Sequence, residues 1–127
     1  MFEVQGIDHI ALAVRDVERS ASWYQEVLGL ERMYEGRWGG VPAFVGAGRT
    51  AVALFPVHGE NPGDPPKKNV IAMRHFAFRV DRPNFDTARS ELKARSIEIA
   101  FQDHDIAHSI YFHDPDGHEV ELTTYEV

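Results

Sequence analysis

The chain has 127 residues, the size of one domain. Its 43% apolar and 26% charged residues exclude a collagen-like or mostly disordered protein, and the absence of cysteine excludes a disulfide framework, thiolate metal sites and a cysteine nucleophile. Twenty Asp and Glu against thirteen Lys and Arg leave a net charge of −7, which argues against a nucleic-acid partner and against an anionic membrane surface. Met1–Gly6 is neither basic nor a long apolar run, and no stretch approaches the roughly 20 apolar residues of a membrane span. The expectation is a cytoplasmic enzyme or small-molecule binder. Seven histidines in so short a chain direct attention to metal or proton chemistry.

Residues 7–14 alternate as a strand does, with Ile10, Leu12 and Val14 on one face and His9, Ala11 and Ala13 on the other. Val17, Ala21, Tyr24 and Leu28 then recur at helical spacing, with Asp16 placed to cap the start and Gly29 to end the helix. Three short strands follow, at 31–34, 41–46 and 50–55, punctuated by glycines. Residues 56–69 hold four of the seven prolines and read as a linker or surface loop. The first pattern then returns. His75-Phe76-Ala77-Phe78-Arg79-Val80 repeats His9-Ile10-Ala11-Leu12-Ala13-Val14 in the form His, apolar, Ala, apolar, any, Val. A second helix carries Phe85, Ala88 and Leu92 on one face with Pro83 near its start, and strands are expected at 97–101, 109–113 and 118–124. The chain is therefore an α+β protein of two βαβββ modules, one at about 6–55 and one at about 70–125, paired as a single domain within the chain or across a dimer.

The apolar face of each first strand must cover its helix, so the other face carries the chemistry. That face holds His9 in the first module and His75 in the second. A pseudo-twofold between the modules would set the two imidazoles facing each other. In the last strand Glu119, Glu121 and Thr123 oppose Val120 and Leu122, so a carboxylate on that face completes a set of two His and one acid. Such a set leaves coordination positions open and suits Fe(II), Mn, Ni, Co or Zn. Asp114-Pro115-Asp116-Gly117 reads as a turn with Gly117 in the left-handed position. If a bulge makes this loop effectively odd-numbered, Tyr111 lies opposite Glu121.

Residues 6–125 resemble the vicinal oxygen chelate superfamily, which includes glyoxalase I, extradiol dioxygenases, fosfomycin-resistance proteins and bleomycin-resistance binding proteins. The resemblance is carried by Asp8-His9-Ile10, by Trp23-Tyr24-Gln25-Glu26-Val27-Leu28-Gly29-Leu30, by Arg74-His75-Phe76-Ala77-Phe78, and by the tail from Ser109 to Leu122. It implies His9, His75 and Glu121 as metal ligands, a cup-shaped half-open barrel built from the paired modules, a small-molecule substrate, and a homodimer. It also implies where this chain departs. Glyoxalase I carries a Glu ligand late in the first module, where Leu54 stands near the expected position. Fosfomycin-modifying relatives of the glutathione-transferase type carry a Thr two residues after the first His and a Lys near Phe101; the first position here is Ala11. The tail is similar to the extradiol signature through His104, Ile110, Tyr111, Asp114, Pro115, Gly117 and Glu121, with Gln102 a departure.

The expectation is a metal-dependent enzyme with Fe(II) favoured and extradiol-like oxygenation of a vicinal-oxygen substrate, with Tyr111 and His104 handling protons and Arg79 meeting an anionic substrate group. A glyoxalase-like lyase or isomerase is the alternative enzyme. A drug-sequestering binding protein is the alternative from another class, and its members typically lack the ligands retained here. Asp114 and Asp116 read as turn residues, Trp23 and Tyr24 as helix packing, and His58, His113 and His118 as surface residues.

Overall fold

The computed structural model describes residues 1–127 and contains the expected α+β elements twice over. Contacts divide the chain into two units, Met1–Gly63 and Asp64–Val127, with the boundary inside the Pro- and Gly-rich stretch.

The first unit runs β1 (His9–Val14), α1 (Val17–Leu28), β2 (Glu31–Met33), a 3-10 turn (Arg37–Gly40), β3 (Ala43–Ala47) and β4 (Thr50–Pro56). The sheet order is β1-β4-β3-β2, with β1 parallel to β4 and the other pairs antiparallel. Asp16 caps α1 by accepting from the Arg19 amide at 3.0 Å, and Gly29 ends it at φ 66°. Leu12, Val14, Val45, Val52 and Leu54 are buried on the face that α1 covers with Ala21 and Tyr24. Each such large side chain contributes about 1.5–3 kcal/mol when fully buried. Arg32 of β2 clasps Glu18 of α1 through two hydrogen bonds of 2.8 and 3.1 Å. The guanidinium holds the Glu18 carboxyl below its usual range.

The second unit repeats the order: β5 (Phe76–Arg79), α2 (Arg82–Ala94), β6 (Ala100–Asp103), β7 (His108–His113) and β8 (Glu119–Thr124), in sheet order β5-β8-β7-β6. Asp81 caps α2 through the Asn84 amide, and Pro83 sits in its first turn. Phe85 and Leu92 of α2 are buried together with Phe76, Ile110, Phe112, Val120 and Leu122.

Several boundaries differ from the expected ones, each for a local reason. The strand expected at 97–101 begins at Ala100, because the amides of Ser96 and Ile97 turn back to the carbonyls of Lys93 and Leu92 and close the helix end. The strand expected at 31–34 ends at Met33, because Tyr34 turns into the left-handed region at φ 55°. The strand expected from Val41 starts at Ala43, because the Val41 amide is spent on the Trp38 carbonyl. The strand expected from His118 starts at Glu119, because the His118 amide caps the preceding turn on Asp114.

Candidate functional site

β8 alternates as the sequence does. Val120 and Leu122 face the helix, which turns Glu121 to the other side of the sheet, where it is only 8% exposed. A carboxylate with so little contact with water needs partners. Ser109 Oγ, from β7, donates to Glu121 Oε2 at 2.6 Å. Glu121 Oε1 lies 2.9 Å from His75 Nε2, which the residue before β5 supplies.

The second nitrogen of His75 tests whether this pair suits a metal. Nδ1 is buried without a hydrogen bond, 3.5 Å from Glu119 Oε1. With its proton on Nε2, facing Glu121, the ring leaves Nδ1 as an unsatisfied acceptor beside a carboxylate. A cation held by Nε2 and Oε1 would move that proton to Nδ1, where Glu119 stands ready to accept it. Carboxylates commonly orient metal-binding histidines in this way. The spacing also suits the role: bonds of about 2.1 Å at right angles put two donor atoms about 3 Å apart. His75 and Glu121 therefore fit a divalent metal.

His9 of β1 has a similar arrangement in the first unit. Its Nδ1 lies 2.8 Å from Asp8 Oδ2, which leaves Nε2 as the available donor. Its ring packs on Phe44 with centroids 5.2 Å apart. No group of three or more His, Asp or Glu side chains is assembled to hold a metal ion.

The five-residue loop from Asp114 to His118 settles the register of the last hairpin. Gly117 takes φ 93°, and Asp114 Oδ1 accepts from the amides of Asp116 and His118. Both aspartates are turn residues, as expected. Tyr111 consequently pairs with Glu121 across the strands. Its ring meets His75 edge to face at 5.4 Å, and its hydroxyl lies 3.0 Å from His104 Nε2. Burial, followed by the negative charge of Glu121, raises the Tyr111 pKa, so the phenol keeps its proton at neutral pH. His104 is exposed and links that hydroxyl to solvent. Arg79 lies one residue pair further along the same face, with its guanidinium 4.3 Å above the Tyr125 ring. His108 is elsewhere: its Nδ1 meets Arg82 of α2 at 2.7 Å, on the helix side of the sheet.

The strand registers correct one expectation. Ala11 pairs with Ala53 as Ala77 pairs with Glu121, so the first-module counterpart of Glu121 is Ala53. Leu54 faces α1 instead and is fully buried. Neither side chain can bind a metal. Sequence reasoning missed Ser109 and left Glu119 without a role, although each stands two residues from a chosen one on the same strand face. It also passed over Tyr34, Trp38 and Phe44, which surround the His9 side of the first sheet.

Comparison with known proteins identifies the family and the fold. The family model described as Glyoxalase/Bleomycin resistance protein/Dioxygenase superfamily matches residues 6–122. A glutathione transferase FosA of Serratia marcescens is 30% identical over 94% of this chain and 80% of its own length. A metallothiol transferase FosB of Staphylococcus epidermidis is 30% identical over 96% of this chain and 83% of its own. A catechol-2,3-dioxygenase of Bacillus subtilis is 27% identical over 91% of this chain but only 40% of its own length. Among solved structures, a glyoxalase/dioxygenase from Nostoc punctiforme aligns with a TM-score of 0.79 at 28% identity, covering 94% of this chain and 90% of that one.

Proposed function

The chain belongs to the glyoxalase/bleomycin resistance protein/dioxygenase superfamily, and from that membership we propose that it is a cytoplasmic, homodimeric, metal-dependent enzyme acting on a small molecule with vicinal oxygens. His9, His75 and Glu121 are the metal ligands in this reading. The observation that carries it is the 2.9 Å convergence of His75 Nε2 and Glu121 Oε1, with the other carboxylate oxygen already engaged by Ser109. A bound divalent metal, Fe(II) by preference and otherwise Zn, Mn, Ni or Co, supplies Lewis acidity and open positions for two substrate oxygens.

The chain's own residues do the rest. Ser109 fixes the Glu121 carboxylate, and Glu119 and Asp8 orient the two imidazoles. The neutral Tyr111 phenol donates a hydrogen bond to a substrate oxygen, and His104 passes the proton between that hydroxyl and water. Arg79 meets an anionic group on the substrate. This constellation is the basis for preferring extradiol-like oxygenation over lyase or isomerase chemistry.

A second reading is transfer of a thiol to an electrophile, favoured by the 30% identity to the two transferases. Against it stands Ala11, where transferases of the glutathione type have a Thr.

The test is metal content on protein purified anaerobically, with Glu121→Ala as the control. Near-stoichiometric iron that the variant loses, followed by oxygen uptake with diols, is the expected result. Loading with a non-redox metal and thiol consumption without oxygen uptake would establish the second reading. No metal in either protein after reconstitution would overturn both and leave a binding protein.

A further inference from the structure

The reverse of the second sheet carries a cavity that the chemistry at Glu121 leaves unused. β6 is the outermost strand there, and Phe101 pairs with Ile110, while Tyr111 pairs with Glu121. Ile110 is fully buried on the side that α2 covers, so Phe101 stands on that side too, away from Tyr111 and Glu121. Between α2 and the segment leading into β6 lies an open cavity of about 500 Å³. Small-molecule pockets usually measure roughly 300–1,000 Å³.

The lining is cationic in a chain whose net charge is −7. Arg89, Ser90 and Lys93 supply one wall from a single face of α2. Ser96, Ile97 and Ile99 line it from the following segment, and the two half-buried isoleucines give it an apolar floor. Neither cation is engaged by a carboxylate. Arg89 holds its guanidinium 4.8 Å above the Phe101 ring, a contact that leaves its N–H donors without an acceptor, and no ion pair reaches Lys93. Like charges at i and i+4 weaken a helix, so this pair costs stability as it stands. Ser96 adds to that cost. It follows the Arg95 cap at φ 60°, where a helix end favours glycine. A hydroxyl kept on strained backbone at the rim of a cationic cavity points to use of that hydroxyl.

We propose that this cavity is a second ligand site, in which Arg89, Lys93 and the hydroxyls of Ser90 and Ser96 bind the phosphate of a small phosphate monoester whose apolar chain lies on Ile97 and Ile99. A tetrahedral phosphate offers acceptor oxygens in several directions. That suits a guanidinium, an ammonium and two hydroxyls better than a planar carboxylate does. Glu98 is the one acidic residue in the lining, and its charge limits the affinity for an anion. Every residue involved belongs to the second unit and none is a proposed metal ligand, so the site stands apart from the metal-dependent reading.

The test is calorimetric titration of the full chain with n-hexyl phosphate, set against inorganic phosphate, hexanoate and n-hexyltrimethylammonium. Each titration is repeated on protein stripped of metal by dialysis against EDTA. Hexyl phosphate is expected to bind about tenfold more tightly than the other three, with or without metal. Arg89→Gln and Lys93→Gln each weaken it about tenfold, the usual loss for one charge-assisted hydrogen bond, and Glu98→Gln strengthens it. Both cations are exposed, so these variants keep the fold. Equal affinity for the hexyl cation, or unchanged affinity in both glutamine variants, overturns the site. So does binding that disappears with the metal, which puts the phosphate at the metal centre instead. Hexanoate bound as tightly as hexyl phosphate overturns the assignment to phosphate, and inorganic phosphate bound as tightly overturns the role of the isoleucine floor.

Discussion

Glu121 is a carboxylate with both oxygens assigned, Oε1 to His75 Nε2 and Oε2 to Ser109. Ser109 Oγ donates to Oε2 at 2.6 Å and also lies 3.0 Å from Thr123 Oγ1, so the hydroxyl is itself held in place. Removing it lets the carboxylate rotate away from His75. Ser109→Ala is therefore expected to weaken divalent-metal affinity about 10- to 100-fold, the usual effect of losing a residue that orients a ligand. Competition with a chromogenic chelator measures it, and an unchanged affinity would show that Glu121 needs no such support. Tyr111 acts at the same scale: with its pKa raised by burial and by Glu121, it stays a hydrogen-bond donor through neutral pH. His104 was legible only as a loop histidine with a titratable ring. Its 3.0 Å contact with Tyr111 depends on the loop after β6, where the Asp105 amide folds back onto Asp103 Oδ1 and the Ala107 carbonyl accepts from the His104 amide.

At the scale of elements, the strand alternation and helix caps followed from local sequence, because each depends on residues only a few positions apart. Element ends were less legible wherever a backbone amide had a competing local partner, as Ser96, Ile97 and Val41 show. One residue of β3 is fixed by close approach. A Cβ on Gly46 would stand 2.6 Å from the Thr50 carbonyl oxygen and 2.8 Å from Met33 Sδ. The backbone oxygen belongs to the paired strand β4 and cannot swing aside. Gly46→Ala is expected to destabilise the first unit by about 1–3 kcal/mol, the range for overpacking, read as a lower denaturant midpoint. A neutral outcome would mean that β3 and β4 separate more easily at Ala47–Thr50 than their pairing suggests.

For the whole molecule, the proposed ligands His9, His75 and Glu121 predict that divalent metal stabilises the folded chain. Divalent metal at about 100 times its dissociation constant adds about 2.7 kcal/mol, or several degrees of melting temperature for a chain of this size. The wild type should show that rise, and His9→Ala, His75→Ala and Glu121→Ala should each largely lose it. An undiminished rise in His9→Ala would remove His9 from the set and leave a site made by the second unit. No helix is long and apolar enough to cross a membrane.

The sequence by itself determined the two βαβββ modules, the face of each strand and the histidine that each first strand presents. All of these follow from period-two and period-3.6 patterns and from the His-apolar-Ala-apolar repeat. Tertiary structure decided what lies opposite what. Ala53 and not Leu54 answers Glu121, because strand register sets which residue shares its face and a one-residue shift reverses it. Ser109 reaches Glu121 because β7 and β8 pair in one register across a five-residue loop. Tyr34 and Trp38 come together with Phe44 because both take left-handed backbone around the 3-10 turn, a conformation that neither residue type predicts. Local chemistry writes faces and caps; only the pairing of distant segments brings functional atoms within bonding distance.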